Sequence, residues 1–229
     1  MSEPAATRYV HDRHEVVRLV PSDARTVVDV GCAEGNLGAA LKAERPDVVV
    51  RGIEPVSSAA ERAREILDEV YVGRAEDEPP ASFLDADVVI FADVLEHLLD
   101  PWSTLRAWRA RLRPGGTLIV SVPNVGHWSM LATLWRGVWD YGADGLLDRT
   151  HLRFFTPVTA IELIEKAGFD VQSCERIVDQ LPRSLRARLG IDEAAQRFSW
   201  TSTRLPRRLR GLGDRALDLL TYQVLLVAR

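Results

Sequence analysis

The chain has 229 residues, 46% of them hydrophobic and 27% charged, and a net charge of −4. That is enough apolar chain for a self-standing core and too little positive charge for bulk nucleic-acid binding. Two cysteines far apart, Cys32 and Cys174, argue against a disulfide framework and for a reducing cytoplasm. The opening residues are too polar for a signal peptide, and no apolar run approaches the ~18 residues of a membrane span.

Strand-like and helix-like segments alternate over the first half of the chain. TVVDVGC (26–32) is a β-branched run ending at glycine, which predicts a buried strand. NLGAALKAER (36–45) has helical spacing and stops before Pro46. VVVRGIEP (48–55) predicts a second strand, and SSAAERAREIL (57–67) a helix with a serine cap. DEVYVG (68–73) and DADVVIFADVLEHL (85–98) supply the third and fourth strands. DPWSTLRAWRARL (100–112) predicts an amphipathic helix capped by Asp100, with Pro101 at its first position. A PGG turn (114–116) then leads into a fifth strand, TLIVSVPN (117–124).

Residues 125–155 are too long for a simple connection and hold Trp128, Trp135 and Trp139, so they predict an acceptor-side insertion or lid. A helix (156–168) and a sixth strand (169–178) follow. A second, arginine-rich insertion spans 179–215, and YQVLLVAR (222–229) predicts the seventh strand. The arginine-rich segment has two readings, a solvated helix that could pair with a partner subunit in a homodimer, and a site for an acidic or lipid-linked acceptor. The fold expected is α/β, a Rossmann-like, seven-stranded, mostly parallel sheet with helices on both faces, in one domain of residues 1–229. Ligands of such sheets bind beyond the carboxyl ends of the strands.

VVDVGCAEGNLG places an acid, Asp29, at a strand end and Gly31 and Gly35 around a tight turn before a helix. The spacing Gly31, Gly35, Gly38 lacks the middle glycine of the dinucleotide pattern, and no phosphate loop is present, so a ligand without phosphates fits better. Glu54, at the end of the second strand, can accept both hydroxyls of a ribose. Ala75, Glu76 and Asp77 follow the third strand, where an amide or side chain could meet an adenine edge.

With these motifs in place, the chain resembles the class I S-adenosylmethionine-dependent methyltransferases over roughly residues 8–178 and the last strand. VVDVGCAEG is similar to the family's first motif, GIEP to its ribose-binding acid, FADVLEHLLDP to its fourth-strand motif and LRPGGTLIVSVPN to its fifth. Ala33 departs from it, since many members carry glycine there. The resemblance implies S-adenosylmethionine as cofactor and S-adenosylhomocysteine as product. It assigns Asp29, Gly31, Cys32, Ala33 and Gly35 to the methionine part, Glu54 and Pro55 to the ribose, and Ala75 and Glu76 to adenine. Ala92, Asp93, Val94 and His97 would line the sulfonium side, and Tyr9 and Arg13 match an N-terminal pair that closes over the cofactor.

PNVGHWS and GLLDRTHLRFFT resemble a branch associated with sugar, polysaccharide and secondary-metabolite methylation. An aliphatic hydroxyl is a poor nucleophile and needs a base, a role that histidine suits at neutral pH. His151 is the first candidate for base or acceptor anchor, His127 the second, and Asp148 the orienting carboxylate. Asp148, Arg149 and Arg153 could equally form a structural ion-pair network. No metal ligands are assigned: Mg²⁺ stays open, since Asp93, Glu96 and Asp148 could converge, but no carboxylate cluster requires it. The function expected is O-methylation of a sugar or polysaccharide precursor, with a small molecule or oligosaccharide as partner. The alternatives are N- or C-methylation in a quinone or secondary-metabolite pathway, and a non-catalytic protein retaining the cofactor fold.

Overall fold

A computed structural model describes residues 13–178, 197–198 and 218–229. Tyr9 and nearly all of the second insertion lie outside them. The strands hydrogen-bond in the order β3-β2-β1-β4-β5-β8-β6-β7, where β1 is Thr26–Val30, β2 Val49–Glu54, β3 Glu69–Val72, β4 Ala86–Ala92, β5 Leu112–Pro123, β6 Val171–Ile177, β7 Arg197–Phe198 and β8 Gln223–Ala228. Seven of these are the strands read from the sequence, and the two-residue β7 is an addition at one edge. The fold is thus a Rossmann-like, mostly parallel sheet with helices. Among the described residues no helix is long and apolar enough to cross a membrane. The residues group into two compact units, one of 13–92, 103–119 and 228–229, the other of 93–102, 120–178, 197–198 and 218–227.

In the first unit β1 lies between β2 and β4, parallel to both, and β2 runs parallel to β3. Four of the five β1 residues are buried, as a central parallel strand requires. The register sets Asp29 beside Gly52 and Ile90, so the acid ends a strand that is covered on both sides. Helix α1 is a single turn, His14–Val17. Helix α2 (Asn36–Glu44) follows the β1 turn, and α3 (Ser57–Ala63) follows β2. Leu67 fills the space that two glycines leave. A Cβ on Gly38 would stand 2.2 Å from Leu67 Cδ2, and one on Gly52 would stand 2.7 Å from Leu67 Cδ1 and 2.5 Å from Cys32 Sγ. Helix α4 (Pro101–Arg111) buries Leu105 and Trp108. The Trp108 indole N–H donates to Ala75 O at 2.9 Å, and its ring meets Phe91 edge-on.

Two local expectations differ. The α3 cap is Val56, with no side-chain bond, because the helix begins at Ser57 and takes both serines into its first turn. The PGG segment does not break the chain before β5. The strand begins at Leu112 and runs through it, with the bend taken up at Gly115, φ 75°.

The second unit holds the excursion after β5. It leaves and returns at one point, where Asn124 bridges Phe155 and the Val125 N–H donates to Phe155 O. Helix α5 (Trp128–Trp135) lies within it. Trp135 is 92% exposed, so it covers no core. Helix α6 (Pro157–Lys166) begins with a reciprocal Thr156–Thr159 capping box and proline at its first position, and Gly168 follows it at φ 94°. The side chain of the buried Asn124 donates to Asp218 O and Thr221 O and accepts from the Gly126 N–H, tying the end of β5 to the approach to β8.

Candidate active site

In the first unit the turn after β1 carries three left-handed residues, Gly31 (φ 78°), Ala33 (φ 48°) and Gly35 (φ 86°). The N–H groups of Gly31 and Cys32 both donate to Ile53 O, drawing the turn against the end of β2. Ala33 bears the left-handed cost of about 1–2 kcal/mol that glycine would avoid. Its N–H is fixed by Glu54, whose carboxylate accepts from Ala33 N at 3.0 Å and Val56 N at 2.9 Å. Glu54 is buried, and that burial raises its pKa against the pull of these two bonds.

Beside this turn lies a cleft lined by Arg13, Asp29, Gly31, Ala33 and Ala92. Asp29 is 2% exposed. Burial pushes its pKa up to about 7, while the Arg13 charge pulls it down and Glu54 adds a smaller upward push. A carboxylate and a guanidinium in one cleft match the ammonium and carboxylate of an amino acid. Two carboxyls at the ends of β1 and β2, with a glycine turn between, offer acceptors for an ammonium group and for hydroxyls. These residues fit S-adenosylmethionine: Asp29 and Arg13 would hold the methionine charges and Glu54 the ribose hydroxyls. Cys32 contributes backbone and a small side chain, because burial drives its thiol pKa far upward and leaves it inert. Ala75 is buried and holds Trp108 through its carbonyl, whereas Pro55 and Glu76 are exposed.

In the second unit Asp93 has φ 57° and accepts on Oδ1 from Ser121 Oγ (3.1 Å) and Gln223 Nε2 (2.6 Å). Gln223 carried no motif in the sequence; its one signal is a polar side chain inside an apolar strand. Half-buried Val94 precedes a 3₁₀ turn, Leu95–His97.

His97 and His151, 54 residues apart in sequence, meet edge to face with ring centroids 4.8 Å apart. The link is backbone: Glu96 O accepts from both Leu152 N (2.8 Å) and Arg153 N (2.9 Å). Each imidazole presents Nδ1 to a carbonyl at 3.2 Å, His97 to Thr150 O and His151 to Leu146 O. A carbonyl only accepts, so each Nδ1 carries a proton, and in the neutral ring the lone pair lies on Nε2. Burial lowers the His151 pKa, and nearby His97 lowers it further. The Leu146 bond and the charges of Asp148 and Asp93 oppose the shift. The buried carboxylate of Glu96 joins the pair: one ligand atom from each of Glu96, His97 and His151 lies within 4.8 Å of the others. Neither Asp93 nor Asp148 belongs to this group, so the carboxylate convergence drawn from the sequence takes a different form.

Asp148 is buried, and its Oδ1 accepts from Thr150 N (2.8 Å) and Thr150 Oγ (2.7 Å), closing a turn. The His151 ring is oriented instead by donating from Nδ1 to the Leu146 carbonyl. Arg149 and Arg153 donate to the carbonyls of Gly142 and Leu99, and Arg153 also lies over the Trp102 ring. His127 is fully buried at the α5 cap, with Nδ1 2.8 Å from Ser129 Oγ and its ring edge-on to Tyr222.

A glycine turn braced by a second-strand acid, beside a cleft holding a carboxyl and a guanidinium, is the arrangement of a small-molecule cofactor site on an open α/β sheet. A family model described as a methyltransferase domain matches residues 6–174, and the chain belongs to that family. Its fold is that of the S-adenosylmethionine-dependent methyltransferases. It is 34% identical over 172 residues to a probable S-adenosylmethionine-dependent methyltransferase of Mycolicibacterium smegmatis, a match covering 73% of this chain and 62% of that protein. It is 32% identical to a ubiquinone biosynthesis O-methyltransferase of Cereibacter sphaeroides, covering 66% of this chain and 62% of that protein. The matches thus span about 62% of the length of these relatives. The fold is similar to that of a SAM-dependent methyltransferase from Archaeoglobus fulgidus, with a TM-score of 0.61, 16% identity, and coverage of 94% and 91% of the two chains.

Proposed function

We propose that the chain, read as one catalytic domain, is an O-methyltransferase acting on a hydroxyl of a sugar or polysaccharide precursor. The observation that carries this reading is the His97–His151 pair, two imidazoles that meet edge to face, each held through Nδ1 by a backbone carbonyl. S-adenosylmethionine supplies an electrophilic methyl group when bound. Asp29 and Arg13 hold the methionine charges, Glu54 the ribose hydroxyls, and Ala75 and Glu76 flank adenine. His151 receives the acceptor hydroxyl, as base or as anchor. His127, sealed at a helix cap, supports the fold around it, and Asp148 sets the turn that carries His151.

A second reading, a phenolic hydroxyl of a quinol-type ring, is favoured by the ubiquinone-pathway relative. Both demand an oxygen nucleophile, so one assay separates them. Labelled cofactor is offered with sugars, dihydroxylated rings and amines. The expected product is a sugar O-methyl ether. In His151→Ala, cofactor affinity is retained and turnover falls by about 10²–10⁴-fold. Label on nitrogen or carbon, or full turnover in His151→Ala, overturns the proposal.

A further inference from the structure

We propose that Glu96, His97 and His151 form a binding site for a first-row divalent cation. Two imidazoles and one carboxylate are a ligand set that holds a metal on one face and leaves its other positions open to exogenous oxygens. The three ligand atoms already lie within 4.8 Å of one another. Metal–ligand bonds of about 2.0–2.2 Å draw such atoms closer still, which small side-chain rotations supply.

The frame around them matches what a metal site needs. Both Nδ1–H groups are committed to backbone carbonyls, Thr150 O and Leu146 O, which orients each ring and leaves Nε2 as the donor. A metal-bound histidine is held by this same outer hydrogen bond, and it fixes the tautomer that can ligate. Glu96 and His97 are consecutive on one 3₁₀ turn. The segment bearing His151 is pinned to that turn by the two N–H donors on Glu96 O and by the Arg153 bond to Leu99 O. The ligands therefore come from two distant stretches held in fixed register by backbone, so the cation need not organise them.

The donor set also selects the metal. Mg²⁺ favours oxygen ligands and keeps its water, whereas two imidazoles favour Mn²⁺, Co²⁺ or Zn²⁺. The open positions suit two adjacent oxygens of an acceptor, as in a vicinal diol. In that role the His151 lone pair anchors the acceptor through the cation and does not take its proton directly. This role rests on the O-methyltransferase reading; the site itself rests on the geometry of the second unit.

The test is titration of the untagged, chelator-stripped full chain with Mn²⁺, followed by the paramagnetic signal of the free ion. One tight site per chain is expected. Glu96→Gln, His97→Ala and His151→Ala should each weaken it on the order of 100-fold. A wild-type far-ultraviolet circular dichroism spectrum and a cooperative urea transition in all three show that the variants are folded. A wild-type chain that leaves Mn²⁺, Co²⁺ and Zn²⁺ free, or folded variants that bind Mn²⁺ as wild type does, overturns the site. Mn²⁺ binding without methylation of any hydroxyl leaves the site standing and removes the O-methyltransferase reading. Hydroxyl methylation that persists in chelator, with no Mn²⁺ bound, does the reverse.

Discussion

Asp29 is the most exacting place to test the electrostatics of the cofactor cleft. Its carboxyl is buried and titrates at about 7 in place of its ordinary 3.8. An acid displaced that far costs the folded chain on the order of 4 kcal/mol once ionised, at about 1.4 kcal/mol per pH unit. Below its ordinary pKa the group is protonated in both folded and unfolded chains and costs nothing. As pH rises through that value toward 7, the unfolded chain gives up the proton first, so folded stability falls until Asp29 itself ionises. An asparagine side chain in its place keeps the shape and removes the titration. Asp29→Asn should therefore gain stability over wild type as pH rises, by roughly 2–3 kcal/mol more at about pH 8 than at about pH 5, an offset of about 1 M in the urea midpoint. Urea unfolding of both proteins at the two pH values, without cofactor, measures this. An offset that does not change with pH means that burial of Asp29 is not what strains the cleft. The same physics reverses with ligand: a cofactor ammonium favours the carboxylate. Wild-type affinity for S-adenosylmethionine should thus weaken by up to about tenfold per unit below pH 7.

Glu54→Gln keeps one acceptor for the Ala33–Val56 turn and removes the charge; calorimetry should show cofactor affinity reduced about 10–100-fold, the worth of hydrogen bonds to a charged group. Gly52→Ala drives a methyl into Cys32 Sγ and Leu67, and urea denaturation should show a loss of about 1–3 kcal/mol, as for other overpacked cores. Thr156→Ala opens the α6 capping box and should cost about 1 kcal/mol in the same assay while leaving cofactor affinity unchanged.

The turn after β1 and its flanking acids were legible because their signals are local. The β-branched runs of β1, β2 and β4 announce buried strands, and the spacing of Asp29, Gly31, Gly35 and Glu54 lies within two strand-to-helix turns. Sequence could also pick out His97 and His151 one at a time. It could not pair them, because their meeting depends on two N–H groups, of Leu152 and Arg153, choosing Glu96 O. Backbone donors and acceptors carry no residue code. The same blindness hid the Leu146 carbonyl behind His151, where a carboxylate, Asp148, looked the better partner. The serine cap on α3 failed because propensity ranks residues at a cap but does not place the boundary, which falls at Val56. Gln223 was overlooked because its role exists only once β8 is seated.

The strand order carries a consequence for how the protein is made. β8 lies between β5 and β6, yet Gln223 leaves the ribosome long after Ile177. Until it arrives, β5 and β6 cannot join, and each keeps an open edge of unpaired N–H and C=O groups. The nascent chain can assemble the parallel strands β1 to β4 early, while the remainder waits for one late segment to slot between two older ones. That interval is when foreign strands compete for the vacancy, so synthesis speed and chaperone access bear on yield alongside final stability.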